Sequence, residues 1–134
     1  MSIEVKNLTK IYGVQKAVDD ISFQIGKGEI VGFLGPNGAG KSTTMRLITG
    51  YLQPDAGSAI VGGINMQENP IGGKRKIGYL PEANPLYYDM YVREYLDFAA
   101  DVHHVKNKKK KIAEIINTVG LTGESNKKTG ALSK

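Results

Sequence analysis

Residues 35–42 read Gly35-Pro36-Asn37-Gly38-Ala39-Gly40-Lys41-Ser42. The spacing is Gly, four residues, Gly, Lys, then Ser or Thr, the pattern of a loop that cradles phosphate. Each fixed position has a physical reason. Glycines admit backbone conformations that turn successive N–H groups inward and let them approach phosphate oxygens closely. A helix opening at Lys41 and Ser42 adds the positive end of its dipole to the same spot. Lys41 supplies a mobile point charge for β- and γ-phosphates, and the Ser42 hydroxyl can ligate Mg²⁺. The chain holds 17 glycines among 134 residues, and at its composition an accidental match is expected only about 2% of the time. The competing reading, a flexible Gly turn, gives no reason for a strand before it and a helix after it.

Working outward, Glu29–Leu34 is a short, nearly continuous apolar run, as a strand buried on both faces of a parallel sheet would be. Residues 3–12 and 17–25 read as two earlier strands, because Ile3 and Val5, then Ala17, Ile21, Phe23 and Ile25, fall largely on period-two positions, with Tyr12-Gly13-Val14 as the break. After the loop, Ser42–Thr49 reads as a helix ended by Gly50, followed by short strands at Ser58–Val61 and Ile77–Leu80, the latter stopped by Pro81. From residue 91 the period turns helical. Val92, Tyr95, Leu96, Ala99 and Val102 form one stripe and Ile112, Ile115, Ile116 and Val119 another, with Gly120-Leu121 as a helix stop.

Charge divides the chain unevenly. The formal net charge is +5, but the excess is carried by the lysines from Lys106 onward. A uniformly basic nucleic-acid binder is therefore not indicated, and the last segment lacks the interleaved aromatics that such binding uses. Lys108–Lys111 places four positive charges at a helix start, against its dipole; it reads either as a solvated face or as a contact for anionic lipid heads. There is no cysteine, which excludes disulfides, thiolate metal sites and thiol catalysis. No apolar run is long enough to cross a bilayer and the N-terminus has no signal-peptide core. The expectation is a soluble chain whose connection to a membrane comes through a partner.

Residues 30–44, together with Leu8-Thr9-Lys10-Ile11-Tyr12-Gly13 before them and Ile48-Thr49-Gly50-Tyr51-Leu52-Gln53-Pro54-Asp55-Ala56-Gly57-Ser58 after them, resemble the ATP-binding subunits of ABC transporters. The resemblance runs from end to end. The phrase Ile77 to Tyr87 is most similar to exporter-type subunits paired with separate permeases, including the gliding-motility ATP-binding protein of gliding bacteria. The resemblance implies an α/β fold: a P-loop NTPase core with an N-terminal antiparallel β-subdomain over about residues 1–88, and the start of a helical subdomain over about 89–134. It implies MgATP as ligand, with Gly35, Pro36, Asn37, Gly38, Ala39, Gly40, Lys41, Ser42 and Thr43 around the phosphates. Tyr12 matches the aromatic that stacks on adenine; otherwise it covers a sheet edge. Val18 packs either beside the nucleotide or simply in the core. Glu82 stands where most of the family has Gln, the residue that touches Mg²⁺ and the attacking water. The resemblance thus gives Ser42 and Glu82 as metal contacts and Lys41 and Glu82 as catalytic contacts. A carboxylate at Glu82 adds charge near the γ-phosphate and cannot donate as an amide does; its other reading is an exposed loop acid after Pro81.

Three departures bear on this. Gly72-Gly73 replaces residues that favour a helical turn, Tyr91 stands where a Ser or Thr cap is common, leaving Asp89 for that role, and His103 and His104 match no family histidine and read as a solvated helix end rather than metal ligands. No Asp-Glu pair occurs in the sequence, so the family's catalytic Glu is not supplied. Leu132-Ser133-Lys134 looks like the opening of the family's signature motif, and the expectation is a truncated domain that binds nucleotide without turnover. For the complete protein the resemblance implies ATP hydrolysis driving an integral membrane permease, a homodimer of ATP-binding subunits, and a cytoplasmic position on the inner membrane face through the permease. Two other readings stand beside it. A P-loop kinase or GTPase would need a motif such as Asn-Lys-x-Asp, which is absent, and a non-transport relative acting on ribosomes or DNA would favour two P-loops or a coiled insertion.

Overall fold

In the computed structural model, which describes residues 2–82 and 86–132, the first strand is Ile3–Tyr12 (β1) and the second Gln15–Ile25 (β2). On its other edge β1 pairs with Ala56–Val61 (β3), which pairs with the two-residue Ile64–Asn65 (β4), giving the order β2-β1-β3-β4 with every pairing antiparallel. The chain divides into two units, Met1–Leu80 and Pro81–Lys134.

The strand β1 explains an irregularity in its own sequence. Val5 and Leu8 are both fully buried, three residues apart rather than two. A bulge at Lys6-Asn7 absorbs the extra residue: the register shifts between Val5 and Leu8, and Asn7 takes a positive φ of 47°. The bulge is stitched to β2 by Asn7 N–H donating to Ser22 Oγ at 2.8 Å and Asn7 Nδ2 donating to Asp20 Oδ1 at 2.8 Å. On the opposite side β3 accommodates it with Gly57, where any Cβ would overlap the Asn7 carbonyl.

The helix after the phosphate loop is Lys41–Ile48 (α1), as its Met45/Ile48 spacing and Gly50 stop predict. Its Leu47 and Ile48 join Val5, Leu8, Val18, Ala59, Val61 and Met66 in the core of the first unit. Burying this set is what holds α1 against the sheet, since an eight-residue helix is marginal alone. A short helix, Pro70–Lys74 (α2), forms despite Gly72 and Gly73. Asn69 caps it through Oδ1, which accepts from Gly72 N–H at 2.9 Å, and Gly73 is buried where a side chain would overlap Met66 Sδ.

Two expected strands do not form. Residues 29–34 and 77–80 are without strand structure. Ile30 is 103% exposed and Leu34 93%, the opposite of the burial their apolar character suggests. A strand is defined by the neighbour that accepts and donates its backbone hydrogen bonds, and no described strand pairs with either run. Ile77 packs against the core of the first unit, and the Phe33 ring lies 5.8 Å from that of Phe23.

In the second unit the helices are Val92–Val102 (α3) and Lys108–Thr118 (α4). Ala100, Ile112 and Ile116 form its core, with Leu96, Val105 and Leu121 against them; Val102 and Ile115, included in the predicted stripes, are exposed. The stop at Gly120 is as predicted, with φ 73° and Leu121 N–H donating to Ile116 O at 2.9 Å. Asp89 does not cap α3. Instead Tyr91 N–H donates to the Glu94 carboxylate at 3.2 Å, and Asp89 is exposed near Lys128. The charge of Lys108, at the head of α4, is answered by α3: its ammonium donates to Asp101 Oδ1 and Oδ2 at 2.8 Å and to Asp97 Oδ2 at 2.9 Å.

That pairing has a pH signature. The hydrogen bonds from Lys108 to Asp101 and then Asp97 raise its pKa above the ordinary 10.5. A raised lysine pKa contributes stability in full below the unfolded value, and the contribution is lost as pH climbs through the folded one. Melting curves of Lys108→Ala against wild type should therefore show a gap at neutral pH that closes above pH 10.5. A gap that does not vary with pH would mean that the lysine stem, not the charge, matters.

Candidate nucleotide-phosphate site

The loop 35–40 closes on itself before α1 begins. Ala39 N–H donates to Pro36 O at 3.2 Å, and Gly38 and Gly40 take φ values of 82° and 81°. The first intrahelical bond is Thr44 N–H to Gly40 O at 2.8 Å, doubled by Thr44 Oγ1 to the same oxygen at 3.0 Å. The N–H groups of Lys41, Ser42 and Thr43 therefore have no partner within the helix. No acidic side chain stands in the first turn and no side chain caps it, so the positive end of the helix dipole is uncompensated.

Lys41 is folded back over the loop. Its ammonium donates to the Gly35 carbonyl at 2.5 Å and the Pro36 carbonyl at 2.7 Å. A cation held by two neutral carbonyls beside the free N–H groups of a helix start is a group that an anion can draw away, since a bond to a charged oxygen is about twice as strong as one to a neutral oxygen. The Ser42 hydroxyl is exposed and makes no hydrogen bond among the described residues. Those residues contain no group of three or more acidic or histidine side chains able to hold a metal. A Mg²⁺ ion at this place fits one hydroxyl ligand with the remainder from phosphate oxygens and water, the mode usual for nucleotide-bound magnesium.

Gly40 fixes the loop to the sheet. Any Cβ at Gly40 would overlap the Ala17 carbonyl oxygen, and the Val18 Cγ2 atom lies 3.4 Å from the same point. Val18 itself is 4% exposed and sits in the core, so it backs the loop from behind. The β1–β2 hairpin carries Tyr12 to the same neighbourhood: Tyr12 pairs with Gln15, two residues before Ala17. The Tyr12 ring is half exposed, and the Lys10 ammonium lies 5.8 Å from its centroid. The loop thus rests against β2 at Ala17 and Val18, and Tyr12 belongs to the same β1–β2 hairpin.

Glu82 belongs to the second unit, directly after Pro81. It is exposed and makes no hydrogen bond or ion pair among the described residues. Ala83, Asn84 and Pro85 of the Ile77–Tyr87 phrase lie outside the described residues, as do Ser133 and Lys134 of the signature-like ending.

One residue with no signal in the sequence is prominent here. Asp55 accepts from Ile11 N–H through Oδ2 at 2.7 Å and pairs with Lys10 at 3.2 Å. The hydrogen bond from Ile11 and then that from Lys10 hold its carboxyl below the usual 3.8. Nothing in the spacing of residues 10, 11 and 55 points to this; the sheet order alone brings them together.

A glycine-built phosphate loop opening a helix, braced by an antiparallel sheet with an aromatic at its end, defines a P-loop nucleotide-binding domain. Comparison with known proteins narrows the class. The ABC transporter family model matches residues 18–134, and the chain belongs to that family. The bacitracin transport ATP-binding protein BcrA of Bacillus licheniformis is 38% identical over 98% of this chain and 42% of its own length. The linearmycin resistance ATP-binding protein LnrL of Bacillus subtilis is 38% identical over 98% of this chain and 43% of its own. A solved ATP-binding subunit of an ABC transporter superposes with a TM-score of 0.85 at 29% identity, over all of this chain and 57% of that one. The fold is that of the ABC ATPases, and the chain spans less than half the length of these two curated relatives.

Proposed function

We propose that this chain binds MgATP at residues 35–43, with Tyr12 under the adenine, as the nucleotide-binding front of an exporter-type ABC subunit. The observation that carries the reading is the Lys41 ammonium held on two loop carbonyls beside the open N-terminus of α1. Phosphate oxygens would take over the ammonium and the free N–H groups together. Ser42 would contact the magnesium, which neutralises the phosphate charge. In the complete protein the bound ATP would be hydrolysed to drive a separate integral membrane permease, with two ATP-binding subunits side by side at the inner face of the membrane. The names of these relatives, bacitracin transport for BcrA and linearmycin resistance for LnrL, support the exporter reading. A link to gliding motility rests on the Ile77–Tyr87 phrase alone. No helix among the described residues is long and apolar enough to cross a membrane.

The 134-residue chain is expected to bind without turning over, because no Asp-Glu pair is present to supply the water-activating carboxylate. Titration with a fluorescent ATP analogue, with and without Mg²⁺, checks the first half; phosphate release checks the second. Saturable, magnesium-dependent binding with no release above background is the expected result. Absence of binding removes the site, and a measurable turnover rate removes the account of what is missing.

A further inference from the structure

The pairing of β1 with β3 ends at Thr9↔Ala56, three residues short of Tyr12. Beyond it β3 has no further strand residue to offer, and the tip of β1 would keep a partner on one edge only. Asp55 extends the ladder with its side chain. Its own N–H donates to Thr9 O at 2.9 Å, and its carboxylate takes the Ile11 N–H that a next strand residue would otherwise receive, at 2.7 Å. The same carboxylate holds the Lys10 ammonium, at 3.2 Å from Oδ2 and 3.4 Å from Oδ1. That ammonium is the cation 5.8 Å from the Tyr12 ring centroid, within the range at which a cation is attracted to an aromatic face. One side chain therefore fixes both the backbone directly before Tyr12 and the charge that lies on its ring.

We propose that Asp55 is a positioning residue for Tyr12, and that through it the protein favours nucleotides carrying a base over the bare phosphate chain. The inference rests on the reading of Tyr12 as the adenine platform. A platform at a frayed strand end would have to be ordered each time a base binds, and ordering lost freedom weakens binding. Asp55 orders it in advance, and acts on the base without touching the phosphates, which Lys41 and the loop hold independently. An aspartate is ionised at neutral pH, and the hydrogen bonds from Ile11 and Lys10 move its pKa further down, so the restraint is present at neutral pH.

The test uses the full chain and two ligands, MgATP and magnesium tripolyphosphate, which has the phosphates but no base. Dissociation constants are measured for wild type, Tyr12→Ala, Asp55→Ala, Asp55→Asn and the Tyr12→Ala/Asp55→Ala double variant, with circular dichroism to establish that each is folded. Tyr12→Ala is expected to weaken MgATP by about tenfold, in line with the contribution of base stacking on an aromatic ring. Asp55→Ala should weaken it by about three- to tenfold, with tripolyphosphate changed less than about twofold and no further loss in the double variant. Asp55→Asn keeps an acceptor for Ile11 but gives up the charge on Lys10, and should fall between wild type and Asp55→Ala; it also serves if Asp55→Ala does not fold. If Tyr12→Ala weakens MgATP selectively while both Asp55 variants bind like wild type, the positioning role is overturned and the platform stands. If the Asp55 variants weaken both ligands equally, Asp55 is a general structural residue and the inference is again overturned. If Tyr12→Ala changes neither ligand, the platform reading fails and takes the inference with it.

Discussion

Replacing Lys41 by alanine is expected to weaken MgATP binding by one to two orders of magnitude. A charge-assisted hydrogen bond contributes about 1.5–3 kcal/mol, and about 1.4 kcal/mol is tenfold in affinity. The ammonium is at present bonded to the Gly35 and Pro36 carbonyls, so part of what phosphate offers it is already in hand, which places the expectation within that range rather than above it. The same bonds tie the first residues of the loop to the helix, and Lys41→Ala should also loosen the loop. Arginine at this position is not a conservative control, because its planar fork cannot occupy the space of a point donor. Titration with MgATP decides the matter. An affinity unchanged from wild type would remove Lys41 from the site, and with it the strongest reason for placing phosphate at this loop.

Gly40→Ala is expected to destabilise the first unit by about 2–5 kcal/mol, adding the cost of a left-handed backbone for a residue with a side chain to that of overpacking. Both causes are visible. Gly40 has φ 81°, and its Cβ would overlap the Ala17 carbonyl oxygen of β2. Gly38 offers a control that separates them: it has φ 82°, but a methyl group there would meet no atom within 4 Å. Gly38→Ala should therefore show only the backbone cost, about 1–2 kcal/mol. Urea unfolding of the two variants measures the difference, which is the energetic value of the loop's contact with the sheet. Equal losses would mean that the sheet yields to the intruding methyl, and that the loop is less firmly braced than the geometry indicates. A loss of MgATP affinity larger for Gly40→Ala than for Gly38→Ala would tie the brace to the function.

Much of the first unit is legible in the sequence because its signals are local. The Gly50 stop, the phosphate loop and the helix that follows depend on residues within a few positions of one another, through helix geometry and the left-handed conformations that glycine admits. The same holds for the Gly120-Leu121 stop, where hydrogen bonds reach back three to five residues. The bulge in β1 is written into the sequence as the three-residue step from Val5 to Leu8, although alternation alone does not say that the strand continues through it. Period-two and period-3.6 patterns are less reliable at their margins: Val102 and Ile115 fit their stripes and are nevertheless exposed.

Features that join distant segments are not legible. The runs 29–34 and 77–80 have strand composition, yet strand structure belongs to pairs, and the residues themselves do not specify the neighbour. Asp55 has the character of a turn residue after Pro54; its role at the end of β1 exists only because β3 lies beside β1 with Thr9 opposite Ala56. Lys108 is, by sequence, one of four like charges opposing a helix dipole, and only the packing of α3 brings Asp97 and Asp101 to it.

By itself, then, the sequence pointed to the chemistry: glycines at 35, 38 and 40 with Lys41 and Ser42 at a helix start are identifiable as a phosphate loop from residue type and spacing, whereas Tyr12 is singled out only by the resemblance to ABC transporter ATP-binding subunits. The tertiary structure decided what braces the loop and which apolar runs go unpaired. Short-range constraints act through bonds and dihedrals that every copy of a motif shares, whereas a contact across the sheet depends on register, and register is set by the packing of the whole first unit.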